Sequence, residues 1–241
     1  SQERLGQEEI PVITIRKSND RGRSGTAWLD SRHTFSFADY YDPQHVHFGA
    51  LRVLNEDWIR SGTGFGLHPH RDMEILTWVL EGVLEHTDSR GHRARLRPGQ
   101  AQLMRAGTGI WHSEANPSED ETLHLLQIWI LPRVRGLEPG HWEMEIAPSE
   151  GAFTPIVTGF GRGGGLAIEQ DASVYALRLA AGEAAEYALA PGRRAWLQVT
   201  RGRGAVGRHG VEAGDGAGVE DERAVRVTAS SDLEALLFDL A

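Results

Sequence analysis

The sequence predicts an all-β protein made of barrels or sandwiches, arranged as two related halves. Two observations carry this. Short stretches of alternating apolar residues recur along nearly the whole chain, punctuated by glycine and proline. A turn pattern also repeats between the halves: W-V-L-E-G at 78–82 matches L-Q-V-T-R-G at 197–202, and L-R-P-G-Q at 96–100 matches V-E-A-G-D at 211–215. The 241 residues suit one large all-β unit or two smaller packed ones.

The elements follow in order. Residues 10–16 (IPVITIR) and 48–54 (FGALRVL) read as strands. Residues 73–80 place Met73, Ile75, Thr77 and Val79 on one face and Glu74, Leu76, Trp78 and Leu80 on the other. Glu81-Gly82 suits a turn, VLEHTD (83–88) returns, Ser89-Arg90-Gly91 turns again, and RARLR (93–97) follows. Pro98-Gly99 signals a turn before AQLMRA (101–106). After the turn at Gly107–Gly109, LHLLQIWIL (123–131) reads as a fully buried strand. Residues 133–172 change texture: Pro139, Pro148 and Pro155 interrupt them, and F-G-R-G-G-G (160–165) lacks both the G-x-G-x-x-G fingerprint and a following helical pattern. This stretch reads as a connection, not a phosphate cradle. Short strands resume from 173, and the final SSDLEALLFDL suits either a short helix or a last strand.

Composition narrows the function. A formal charge of -9 argues against coating nucleic acid, which needs a positive surface. With no cysteine, disulfides and thiolate metal sites are impossible, so redox chemistry would have to come from a metal or cofactor. The first ten residues are too polar for a signal peptide, and no segment approaches the roughly 20 apolar residues of a membrane helix. A soluble cytoplasmic protein with no membrane contact is the expectation.

Two short stretches carry possible chemistry. In an extended chain, residues two apart share a face, so His68 and His70 of G-F-G-L-H-P-H point together. Pro69 biases His68 toward an extended conformation. His112 and Glu114 of I-W-H-S-E share a face in the same way. Either pair alone fits an ordinary polar sheet edge. On neighbouring strands they would offer three imidazoles and one carboxylate, a set suited to iron, nickel, copper or zinc, with the carboxylate also favouring manganese. A divalent ion there would leave a local charge of about +1, suited to an enolate or phenolate. An octahedral ion would keep positions open, whereas tetrahedral zinc would be closed by the same four ligands. The rival pair His45 and His47 has no carboxylate at a matching offset and reads as rim or sheet face.

The stretches S-R-H-T-F-S-F-A-D-Y-Y-D-P, F-G-A-L-R-V-L-N-E-D, F-G-L-H-P-H-R-D-M-E-I-L-T-W-V-L-E-G, L-E-H-T-D-S-R-G and A-G-T-G-I-W-H-S-E-A-N-P resemble the pirin family of the cupin superfamily, close to its bacterial quercetin dioxygenases. The resemblance runs from about residue 12 to the end, dense in the first half and looser through A-P-G-R-R-A-W-L-Q-V. It implies a bicupin, two β-barrel/jelly-roll domains in one chain: residues 1–132 as the metal-binding barrel, 133–172 as the connection, and 173–241 as a metal-free barrel that N-terminal strands would help complete. It further implies a metal, usually Fe(II), on His68, His70, His112 and Glu114, with Ni, Cu, Mn or Zn able to replace it in a purified sample.

The implied activity is opening of the central ring of flavonols such as quercetin, with Glu114 as a metal ligand and candidate base. The partners would be a flavonol-like or enolic molecule and dioxygen. The family's other implied role is that of an iron-binding redox sensor docking on a transcription factor or metabolic enzyme, so a protein partner stays open. Glu74 sits where many cupins place a ligand; the pirin pattern takes the carboxylate from Glu114 instead and makes Glu74 pocket wall or support for the ligands, with direct ligation the remaining alternative. Arg71 reads as an exposed charge or an anion contact. His33, Phe35, Phe37 and Tyr40 either cover the pocket or pack the N-terminal segment. Trp78 and Trp111 fit pocket or core, Met73 and Met104 fit core, and His124 fits the pocket or a hydrogen bond within the core.

Overall fold

The computed structural model describes residues 12–241; the polar N-terminal stretch read against a signal peptide lies outside the described residues. Four antiparallel-rich sheets form two units. In the first, a seven-stranded sheet runs in the spatial order Gly140–Glu145, Gln100–Arg105, Glu74–Glu81, Leu123–Ile130, Leu51–Ile59, Leu29–His33, Gly22–Gly25. It faces a four-stranded sheet, Gly64–His70, Ile110–Ala115, Leu84–Asp88, Arg93–Leu96. In the second, the seven strands are Val12–Arg16, Gly216–Glu220, Arg194–Arg201, Leu233–Leu240, Ala172–Leu179, Thr154–Gly159, Leu166–Ile168. Their four-stranded partner is Ala184–Ala188, Ala224–Ala229, Arg203–Val206, His209–Glu212. Among the described residues the one helical element is a short 3-10 turn, Ser18–Asp20, and no helix is long and apolar enough to cross a membrane.

Position by position the two sheet orders correspond, which makes the weak sequence repeat a structural one. Glu74–Glu81 and Arg194–Arg201 hold the same place, and each ends on a left-handed glycine, Gly82 (φ 81) and Gly202 (φ 80). Gly99 (φ 86) and Gly214 (φ 87) likewise precede equivalent strands. A side chain at Gly82 would meet the Thr122 carbonyl at 2.9 Å, so the backbone conformation and the close approach both require glycine there.

Residues 133–172 hold three strands that divide between the units. Gly140–Glu145 pairs with Gln100–Arg105 in the first, whereas Thr154–Gly159 and Leu166–Ile168 join the second. Val12–Arg16, from the start of the chain, pairs with Gly216–Glu220 in the second unit. Each unit therefore borrows an edge strand from beyond its own sequence block. The glycine run 161–165 is the tight loop between two parallel strands. The ambiguous C-terminal stretch is a strand, Leu233–Leu240, in the middle of its sheet.

Sheet faces sort the apolar side chains. Leu54, Leu76, Trp78, Leu126, Ile128 and Ile130 leave the first unit and meet Val174, Ala176, Trp196, Leu236 and Phe238 of the second in one buried cluster. The second unit's interior is a continuous apolar core that includes Leu197, Val199, Val225, Val227 and Leu237. The first unit's interior is split. Ile59, Val79, Leu84, Leu123 and Leu125 fill one end, Ile75, Met104 and Ile110 the other. The space between belongs to polar side chains, and that gap is the candidate site.

Candidate metal centre

Strand Gly64–His70 is the edge of its four-stranded sheet, where a proline that cannot donate to the ladder is tolerated. It pairs with Ile110–Ala115 so that His112 lies opposite His68, with a bulge before Glu114 meets Phe65. Pro69 therefore points out beside exposed Trp111, while the histidines on either side of it turn inward. The ligand-type nitrogens of His68, His70 and His112 all lie within 4.8 Å of one another. The ring centroids stand 4.4 to 4.9 Å apart. Glu114 joins a second grouping, with His112 and His86, by the same measure. It also lines the same cleft as His68 and His70.

The electrostatics favour a cation. Burial, helped by neighbouring His68, pushes the His70 imidazole down to about 4. Burial and the surrounding histidines push His112 down to about 2. Both are thus neutral donors at pH 7, the form that ligates metal. Burial, with the Asp57 charge nearby, pushes the Glu114 carboxyl up to about 7. His68 donates Nδ1–H to the Gly66 carbonyl at 2.8 Å, which leaves Nε2 as its lone-pair nitrogen. Gln127 Nε2 donates to Glu114 Oε2 at 2.7 Å. His112 Nε2 and Glu114 Oε1 are buried with no hydrogen-bond partner among the described residues. Buried polar atoms are rarely left so, and this donor set fits a divalent transition-metal ion.

The cleft opening onto these residues is small, with a volume of about 210 Å³. Leu29, Phe37, Phe65 and Trp129 form its apolar walls; His33, Asn55, Asp57 and Gln127 supply polar groups. Trp129 packs edge-on against His70 and Phe37, with ring centroids 4.9 and 5.4 Å away.

Some of the residues singled out in the sequence resolve differently, and others as expected. Glu74 is not pocket wall. It lies on the outward face with Leu76 and Trp78, accepts from Arg105 Nε at 3.0 Å and the Glu169 amide at 3.1 Å, and so ties the first unit to the second. His124 also faces outward, bonded to Glu56 Oε1 at 2.9 Å and stacked on Trp58. Trp78 belongs to the core between units and Trp111 is exposed, so neither lines the cleft. The aromatic quartet divides: His33 and Phe37 line the cleft, Phe35 enters the central core, and Tyr40 receives a hydrogen bond from Arg16 at 2.8 Å. Met73 and Met104 pack in the core. His45 bonds Asp42 and His47 approaches the Gly49 carbonyl; neither joins the cluster. Arg71 is exposed.

Asn55, Asp57, Gln127 and Trp129 escaped the sequence reading, although alternation signals them: Asn55 and Asp57 are two apart, as are Gln127 and Trp129. Among the described residues the second unit offers no counterpart. Its equivalent strand pair contributes Ala185, Tyr187, Val225 and Val227 to an apolar interior, and His209 stands alone at a strand start.

Fold and site together define a bicupin with a histidine-rich, metal-type centre in its first barrel only. Its relatives agree. The Pirin family model matches residues 14–130, and the model described as the quercetinase C-terminal cupin domain matches 155–240. The chain belongs to the pirin family. It is 46% identical over 229 residues to the quercetin 2,3-dioxygenase of Escherichia coli K12, covering 95% of this chain and 99% of that one. It is 42% identical over 231 residues to a pirin-like protein of Caulobacter vibrioides, covering 94% and 99%. The structure of the E. coli pirin YhhW in complex with nickel(II) superposes with a TM-score of 0.91 at 46% identity, covering 95% and 99% of the two chains.

Proposed function

We propose that this pirin is a metal-dependent dioxygenase that opens the central ring of flavonols such as quercetin, with Fe(II) as its resident ion on His68, His70, His112 and Glu114. One observation carries the reading: the clustered imidazoles of His68, His70 and His112 and the buried carboxylate of Glu114 stand at the end of an aromatic-walled cleft. Such a cleft favours a small-molecule substrate over a docking role for the centre.

When bound, the ion supplies Lewis-acid stabilisation of the substrate's oxyanion. The chain's own groups do the rest. Leu29, Phe37, Phe65 and Trp129 sandwich a flat aromatic substrate and exclude water. Glu114 accepts the proton of the hydroxyl beside the ring carbonyl. A carboxylate held on a cation is a weaker base, so Oε1 turns to the substrate while Gln127 retains Oε2. Ring opening then consumes dioxygen and releases carbon monoxide.

Anaerobic reconstitution with iron, nickel, copper or manganese, followed by oxygen-uptake and product assays with quercetin, tests this. Uptake matched to ring-opened product is expected. No uptake with any of the four metals would refute it. Glu114→Gln should keep measurable metal and lose about 10²–10⁴-fold in kcat; full activity would remove Glu114 as the base.

A further inference from the structure

Beyond the first centre, the histidines continue. The ring of His86 stands 5.2 Å from His112 and 4.8 Å from His141, and His141 stacks on His92 at 5.2 Å. His86 and Asp88 are two apart on strand Leu84–Asp88 and face the same way. His141 comes from the edge strand Gly140–Glu145 of the opposite sheet. We propose that His86, Asp88 and His141 form a second divalent-metal site, for a borderline ion such as Zn²⁺, that fastens the two sheets of the first barrel together.

The geometry is that of ligands, not of hydrogen bonds. Asp88 Oδ2 lies 3.6 Å from His86 Nε2 and 4.0 Å from His141 Nδ1, too far for a hydrogen bond to either. All three residues offer donor atoms within 4.8 Å of one another. Ligands bonded at about 2.0–2.2 Å to one tetrahedral ion stand roughly 3.4 Å apart. His86 Nε2 and His141 Nδ1 are buried and have no hydrogen-bond partner among the described residues. The two side chains carrying these nitrogens are 0% and 4% exposed, so water does not readily replace the missing partners.

Surrounding bonds hold each donor in its ligating form. Asp88 Oδ1 accepts from the backbone amides of Arg90 at 2.8 Å and His92 at 3.2 Å, which leaves Oδ2 turned to the imidazoles. His141 Nε2–H donates to Glu143 Oε1 at 3.0 Å, so its lone pair is on Nδ1. Gln102 Nε2 lies 3.4 Å from His86 Nδ1, while Gln102 Oε1 has no partner. Exchanging the two ends of that amide, an assignment and not an observation, lets Oε1 accept from His86 Nδ1–H and frees Nε2 to ligate. His92 lies at the mouth, 44% exposed, with Nδ1 3.1 Å from Asp88 Oδ2. His86 also falls within ligand distance of His112 and Glu114, and its Nδ1 lies 3.4 Å from His112 Nδ1, so the two centres are neighbours.

Zinc binding to the metal-free full chain tests this, with stoichiometry from equilibrium dialysis and elemental analysis. The wild type should take two equivalents. A His68→Ala/His70→Ala variant should keep one tight equivalent, and adding His141→Gln should weaken that equivalent at least tenfold. Retained thermal stabilisation by Zn²⁺ in the double variant reads the same site through folding. A wild type that binds only one equivalent, or a double variant that binds none while remaining folded by circular dichroism, would overturn the second site. Either result leaves the flavonol assay as a separate question.

Discussion

Asp57 and Glu114 project into the same cleft from different sheets; the Asp57 charge raises Glu114's affinity for protons, and the Glu56 charge raises that of Asp57. Burial is the larger cause and pushes Asp57 up to about 7, against a hydrogen bond from Ser31. An acid with a raised folded pKa is still protonated in the native chain where the unfolded chain has ionised. Its stabilising contribution is complete below about pH 4 and is lost as pH rises through about 7. The buried histidines His70, His86 and His112 have lowered values and contribute the opposite slope over part of this range, so a variant must be compared with its parent. In the metal-free protein, Asp57→Asn should gain stability relative to wild type between pH 5 and 7.5, by up to ~2.5 kcal/mol. Denaturant titrations at both pH values measure it, and parallel profiles would show that Asp57 is not so perturbed. At this scale the sequence showed the paired histidines because H-x-H and H-x-E advertise themselves. Asp57 and Trp129 were hidden because nothing local says which inward residues border a gap and which border packed methyl groups.

Strands depend on their turns, and the repeated glycines at 82 and 202 show how a local choice sets register. Gly82 combines φ 81 with a backbone carbonyl 2.9 Å from where a side chain would start, whereas Gly62 (φ 66) has open space around it. Gly62→Ala should cost only the left-handed strain of about 1–2 kcal/mol. Gly82→Ala should cost clearly more, because the hairpin must also move. Thermal unfolding of the two variants decides it, and equal losses would mean the contact is easily relaxed. Element faces were legible where alternation was clean: the division of Met73–Leu80 into two faces already turned Glu74 away from Thr77. What that face meets was not legible. Glu74 leads to Arg105 and the Glu169 amide because a second sheet lies there.

Across the whole molecule, two seven-stranded sheets share one apolar cluster, and strands from 12–16 and 140–145 tie each unit to sequence outside its own block. Units joined by a common core should unfold together. Calorimetry is expected to show a single transition, and Phe238→Ala, at the centre of that core, should cost about 3–5 kcal/mol and lower it as one. Two resolved transitions, with only the later one shifted, would show that the halves are independently stable.

By itself the sequence determined the all-β class, the twofold repeat, the inward pairs His68/His70 and His112/Glu114, and their absence from the second half. These follow from short-range rules: a period of two assigns faces, and glycine and proline place turns. Only the tertiary structure decided that His112 lies opposite His68, that Asp57, Gln127 and Trp129 finish the cleft, and that His141 arrives beside His86 and Asp88. Those neighbours come from strands dozens of residues apart. Their pairing is selected by burying whole sheet faces together, an energy distributed over the fold and written in no single stretch.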